Sequence, residues 1–215
     1  MKTTFDIDKS MDNIINYYDQ NIGGTLVLLL SAIIISYFSD KQYIKSVISL
    51  ILVSFVTWYG HLSLHKFPNN PISKTHLWTH HSPFGKTFIG KILEYSIIET
   101  FFFGGGLLLL FIMWFHREFG YYILNPYIIF WWTLSVPIVH ELYYHQTKSD
   151  NIHNLHHKNN LHNLGPDIWD VVMRSKNDGE IIEDENTISI IMILWCLCII
   201  PFIHSKYDFI QILSN

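Results

Sequence analysis

Five apolar stretches organise this chain, set apart by short turns and by two long polar segments. Residues 20–39, 46–65, 100–115, 119–139 and 186–205 contain no Asp, Glu, Lys or Arg. A helix crossing the roughly 30 Å hydrocarbon core of a bilayer needs about 20 such residues. Each stretch therefore predicts a membrane span, the third reaching back to about residue 92. The short link at 40–42 predicts an antiparallel helical hairpin, and Arg117-Glu118 predicts a second tight turn. Gly104-Gly105-Gly106 breaks the third span, where glycine permits a kink or a close helix contact. Pro126 and Pro137 bend or end the fourth. An acidic run, 178–185, precedes the fifth and reads as a solvated linker. The expected fold class is all-α: a polytopic membrane bundle of four to five transmembrane helices. Residues 1–22 form an N-terminal tail, 23–205 the membrane domain and 206–215 a C-terminal tail. The mixed-charge N-terminus does not read as a cleavable signal.

Composition agrees with that pattern. Of 215 residues, 49% are hydrophobic and only 15% are charged, against roughly 25% in soluble domains. A net charge of −4 offers no basic field for nucleic acid, so none is expected as a partner. The two cysteines, Cys196 and Cys198, sit in an apolar run and predict neither a disulfide framework nor a thiolate zinc site. Threading five spans sorts the cations. Lys2, Lys9, Lys66, Lys74, Lys86, Lys91, Lys148, Lys158, Arg174 and Lys176 fall on one side, and Lys41, Lys45, Arg117 and Lys206 on the other. By the positive-inside rule the richer side is cytosolic.

The same threading puts the unusual chemistry on that cytosolic side. There are 13 histidines, and all but His116 and His204 lie in the two polar segments. The first holds His61, His65, His76, His80 and His81; the second holds His140, His145, His153, His156, His157 and His162. Residues three or four apart on a helix share a face, so His61/His65, His76/His80 and His153/His156/His157 each aim imidazoles at one spot. His140 and His145 are five apart and would diverge by roughly 140° on an α-helix. His145 is the expected ligand of that pair, and His140 a ligand or near neighbour. His162 has an equally suitable polar role beside Asn163, and His116 and His204 read as ordinary surface or core residues. So many imidazoles exceed the needs of one four-coordinate zinc, so two metals are expected. The zinc-peptidase pattern H-E-x-x-H is excluded, because His140-Glu141 is followed by three residues before His145. A pair of iron ions suits neutral nitrogen ligands at a lipid surface, since attack on an unactivated C–H bond needs a cofactor. A membrane metal transporter is the alternative of a different class. It needs polar ligands deep in the spans, where this chain offers almost none; Glu94 and Glu99 lie only at the start of the third.

Laid out in order, these motifs resemble the fatty acid hydroxylase superfamily of membrane non-haem di-iron enzymes, which includes sterol desaturases. The resemblance rests on the H-x3-H pair His61/His65, the box His76/His80/His81, the later His145, and the box His153/His156/His157. After the last box come Asn163-Leu164-Gly165 and Trp169-Asp170, close to the family's N-F/Y-G…W-D tail. Leu164 replaces the aromatic, and Met173-Arg174-Ser175 stands where the family continues with Gly-Thr. The matched region covers about residues 50–175. The resemblance implies iron binding by the matched histidines, with Asn163 and Asp170 orienting ligands rather than binding metal. It implies O2-dependent hydroxylation of a membrane lipid such as a fatty acyl chain, sphingolipid or sterol. It also implies a separate electron donor such as cytochrome b5, and an endoplasmic reticulum location in a eukaryotic host. Desaturation of an acyl lipid or sterol is the alternative outcome of similar chemistry.

Overall fold

The computed structural model describes residues 7–146, 151–176, 182–205 and 208–214, and every described element is helical. In chain order these are α1 (Ile7–Phe38), α2 (Tyr43–Lys66), α3 (Pro71–Thr79), α4 (Phe88–Leu93), α5 (Gly106–Phe119), α6 (Pro126–Val139), α7 (Asn151–Lys158), α8 (Asp167–Met173), α9 (Glu185–Ile203) and α10 (Phe209–Ser214). A 3-10 turn, Pro83–Lys86, precedes α4. Two π-helical segments extend α-helices directly: Glu94–Phe103 continues α4, and His140–Gln146 continues α6.

Among the described residues, three helices are long and apolar enough to cross a membrane: Met11–Phe38, Tyr43–Lys66 and Glu185–Ile203. A fourth span exists if Phe88–Phe103 and Gly106–Phe119 are taken as one broken helix, bent by 50°. The bend falls on the glycine triplet for a steric reason. Gly105 has φ +108°, and a Cβ there would lie 2.7 Å from Val53 Cγ2 on α2. The close approach of this break to α2, in a left-handed conformation, thus requires glycine.

The expected fourth span, 119–139, begins later than its apolar pattern. Gly120, left-handed at φ 77°, ends α5, and the chain re-enters helix only at Pro126. The 14 residues of α6 extend roughly 21 Å at 1.5 Å per residue, and the π-helical continuation, His140–Gln146, lengthens the helix further. In the bundle α6 is the central post. Trp131 is fully buried and donates to Met192 O on α9 (3.1 Å), while Trp132 donates to Thr57 Oγ1 on α2 (2.8 Å). Buried indole N–H groups need such acceptors, so both tryptophans tie α6 to its neighbours. The outward faces are apolar. Leu26, Leu30 and Ile33, then Ile44, Ile48 and Ile51, then Ile190, Leu194 and Leu197 are exposed at helical spacing. Three such stripes suit hydrocarbon rather than water.

The expected tails are also structured. α1 begins at Ile7, and Tyr17 is buried with its hydroxyl donating to Glu185. Asn21 donates to Glu183 O (2.9 Å) and accepts from Glu185 N (3.0 Å). At the opposite end of the bundle, Asn125 caps α6 and donates to Ser39 Oγ (3.1 Å), Asp40 Oδ1 (3.1 Å) and Ser46 Oγ (2.9 Å). Tyr127 donates there to Asp208 Oδ2 (2.6 Å). Polar fastenings therefore close both ends of an apolar bundle, and only one end carries the clustered histidines.

Candidate metal centre

The histidine end is assembled from four elements. α2 ends at Lys66, so His61 and His65 occupy successive turns of one face. Asn70 caps α3 by accepting from Ser73 N (2.8 Å), with Pro71 at the first position, a start that fixes where His76 falls. His80 closes α3 as its C-cap residue, and His81 follows. His140 opens the π-helical extension of α6, and α7 supplies His156 and His157. Rings from all four elements meet. His61 and His156 have ring centroids 4.7 Å apart, His65 and His81 4.7 Å, His80 and His140 4.8 Å, and His81 and His157 4.5 Å.

The hydrogen bonds fix which nitrogen each ring presents. His61 donates from Nδ1 to Leu164 O (2.7 Å), His76 from Nδ1 to Glu94 Oε1 (2.9 Å), and His156 from Nδ1 to His162 O (2.9 Å). His140 donates from Nδ1 to Glu99 Oε1. A neutral imidazole that donates at one nitrogen keeps a lone pair at the other. Nε2 of His61 and Nε2 of His76 therefore both carry lone pairs, yet both face His65 Nε2, at 3.3 and 3.1 Å. One proton on His65 satisfies only one of them. A metal ion with M–N bonds of about 2.0–2.1 Å holds its nitrogens about 2.8–3.4 Å apart at right-angle to tetrahedral geometry. The observed spacing lies in that range, so the donor set fits a cation.

Four overlapping triads have ligand atoms within 4.8 Å of one another: His61/His65/His76, His65/His81/His156, His80/His81/His157 and His80/Glu99/His140. They divide into two neighbouring positions, one centred on His65 and one on His80. Burial, with adjacent imidazoles adding to it, holds His76 well below its ordinary pKa and His81 down at about 2; His156 is lowered to about 4, again mainly by burial. All three stay neutral at physiological pH, the form that binds metal.

Of the residues expected in the site, His61, His65, His76, His80, His81, His140, His156 and His157 are brought together. The side chains of His145 and His153 lie outside the described residues. Residues 140–146 are π-helical, a wider turn that brings backbone positions five apart closer to one face than an α-helix does. His162 contributes a carbonyl, to His156. His116 stacks on Tyr122 and His204 lies against Phe38, both at the far end.

Asn163 and Asp170 lie on the loop that follows the last histidine group. Asn163 is left-handed (φ 55°), a conformation Asn tolerates, and this turn directs the flanking carbonyls of His162 and Leu164 toward His156 and His61. Asp170 is buried and accepts from Gly165 N (2.7 Å), Trp58 Nε1 (3.1 Å) and Ser175 Oγ. It touches no imidazole; it fixes the loop whose carbonyl orients His61. Two residues went unassigned in the sequence. Glu94 and Glu99 are buried on the π-helical segment and hold His76 and His140. Their signal was present as two acids in an otherwise apolar stretch, but their common face appears only once the segment is π-helical.

A cavity of about 130 Å³ opens beside the rings. His61, His80 and His140 line one end, and Leu28, Phe103, Trp132, Val136, Ile188 and Met192 line its apolar body. Phe103 and Trp132 line this cavity, whereas Phe101 is exposed and Trp131 is core. Comparison of the chain with protein families, curated proteins and solved structures returns no match.

Proposed function

We propose that this chain is a membrane-bound di-iron oxygenase that hydroxylates a C–H bond in the apolar chain of a lipid. The observation that carries the reading is the convergence of imidazole lone pairs from α2, α3, α6 and α7 on two adjacent positions that border an apolar cavity. Two bound irons would supply O2 activation, chemistry that no side chain offers. His61, His65, His76, His81 and His156 would hold one ion, and His80, His140 and His157 the other. Glu94 keeps Nδ1 of His76 occupied, which leaves Nε2 for metal and fixes ring orientation, and Glu99 lies against His140. Leu28, Val136, Ile188 and Met192 give a reacting chain an apolar bed, which supports an aliphatic C–H target, while Tyr144, Asp167, Glu183 and Glu185 add polar groups to the lining. The stoichiometry takes one O2, two electrons and two protons: one oxygen atom enters the C–H bond and the other leaves as water. The electrons come from a separate donor such as cytochrome b5, and the histidine end faces the cytosol.

The test pairs metal analysis of the detergent-purified protein with lipidomics of expressing cells, using His65→Ala as the control. The expected result is bound iron and a lipid that gains one oxygen atom, both lost in the variant. A lipid that loses two hydrogens instead assigns desaturation. No metal in purified wild type, or lipids unchanged by the variant, overturns the oxygenase.

A further inference from the structure

The two buried carboxylates beside the histidines differ in how fully they are used. Glu94 spends both oxygens within the protein: Oε1 accepts from His76 Nδ1 and lies 3.8 Å from His80 Nδ1, and Oε2 accepts from Thr79. Glu99 spends one. Its Oε1 accepts from His140, while Oε2 is buried with no hydrogen-bond partner, and the residue is 0% exposed. No Lys or Arg among the described residues pairs with it; the nearby Lys91 is taken by Glu141 at 2.9 Å. A buried carboxylate oxygen without donor or cation is costly, and a coordinated metal is one of the few things that compensates it.

One oxygen of Glu99 and one ring nitrogen each of His80 and His140 lie within 4.8 Å of one another. His80 also belongs to the triad with His81 and His157, so an ion bound at His80 has imidazoles on one side and Glu99 on the other. The backbone brings the acid there by a specific device. Residues 94–103 are π-helical, with Gly104 N bonded to Glu99 O five residues back (2.5 Å). On an α-helix Glu94 and Glu99 would diverge by roughly 140°; the wider turn sets both toward the histidines.

We infer that Glu99 is a direct ligand of the second metal position through Oε2, making the two positions chemically unequal. The first, around His65, is all nitrogen; the second, around His80, combines nitrogen with an anionic oxygen. The assignment rests on the metal-centre reading above and adds a ligand that no histidine box contains. The carboxylate neutralises part of the charge of two adjacent cations and gives the second position a harder donor.

The experiment titrates Co(II) into metal-stripped, detergent-purified wild type and the variants Glu99→Gln, Glu99→Ala and Glu141→Gln, with circular dichroism and elution profile checking the fold. Wild type and E141Q, which alters a neighbouring carboxylate bonded to Lys91 and Tyr95, should bind two equivalents. E99Q and E99A should keep the first and lose the second by more than about 100-fold in affinity, because residues that only steer a ligand cost about 10–100-fold. The ligand-field spectrum of the second equivalent should change with it. An independent readout needs no variant: the infrared difference between stripped and reloaded wild type should contain a coordinated-carboxylate band. Loss of 100-fold or less in a folded E99Q, or absence of that band, overturns ligation by Glu99 while the centre stands. Wild type that binds no cobalt overturns the centre and this assignment together.

Discussion

Asp170 offers the sharpest test of how the fold holds its histidines, because it lies one step removed from them. In Asp170→Ala, Gly165 N loses its acceptor at 2.7 Å. Trp58 Nε1 loses one of two acceptors and retains Ser175 Oγ at 3.0 Å. Ser175 must redirect its hydroxyl. A buried donor left unsatisfied costs about 1–3 kcal/mol, and each weakened bond about 0.5–1.5 kcal/mol. The sum is about 4 kcal/mol. In a domain of 150–250 residues each kcal/mol moves Tm by about 2–4 °C, so the midpoint should fall by roughly 8–16 °C. Burial raises the Asp170 pKa to about 6, so the measurement belongs at pH 7.5 or above, where the carboxylate is ionised. The released loop also frees Leu164 O, the acceptor for His61 Nδ1, and metal affinity should fall by about 10–100-fold as for other ligand-orienting groups. The assay is thermal unfolding in detergent, with and without metal, followed by metal titration. A variant within about 4 °C of wild type that binds metal normally would show that the loop is held by something else, and the reasoning would fail.

Two further outcomes follow from geometry and charge. Asn125→Ala removes the α6 cap and three bonds to the α1–α2 turn; thermal unfolding should register a loss of about 3 kcal/mol, yet metal content should stay at the wild-type value because Asn125 lies at the far end. The histidine pKa values, lowered to about 4 at His156 and about 2 at His81, keep the rings neutral below the ordinary value of 6.5, so dialysis at stepped pH should leave metal bound at pH 5.5 and release it toward pH 4. In the metal-free protein the unfolded chain takes up protons first, so stability is lost as pH falls from 6.5 toward 4, by about 3 kcal/mol from His156 alone.

Much of the bundle was legible in the sequence because apolar length is a local property. The stretches at 20–39, 46–65 and 186–205 became α1, α2 and α9. The fourth stretch misled at its start because Gly120–Leu124 is uncharged without being helical; Gly120 and the Asn125-Pro126 start decide the boundary, and hydropathy does not register them. The histidine groups on α2 and α3 followed from three- and four-residue spacing. What the spacing concealed was Glu94, Glu99 and the relation of His140 to position 145, since both pairs are five apart. An α-helical ruler separates them, and only a change of helix type brings them to one side.

That shared spacing links the two π-helical segments to function. A wider helical turn forfeits good backbone geometry, so short π segments persist mainly where something repays them. Here there are two, Glu94–Phe103 and His140–Gln146, and they lie against the same end of α6. Each begins with a residue of the histidine network, Glu94 in one and His140 in the other, and Glu99 of the first holds His140 of the second. Returning either segment to α-helix rotates one partner of that contact by roughly a third of a turn. Deleting one residue between 95 and 98 attempts that change. If the segments exist to aim ligands, the deletion should keep helicity and lose the ion held near His80, leaving the one near His65. Equal loss of both ions in a folded deletion variant would mean that the π turns serve packing, and that the histidines reach their places without them.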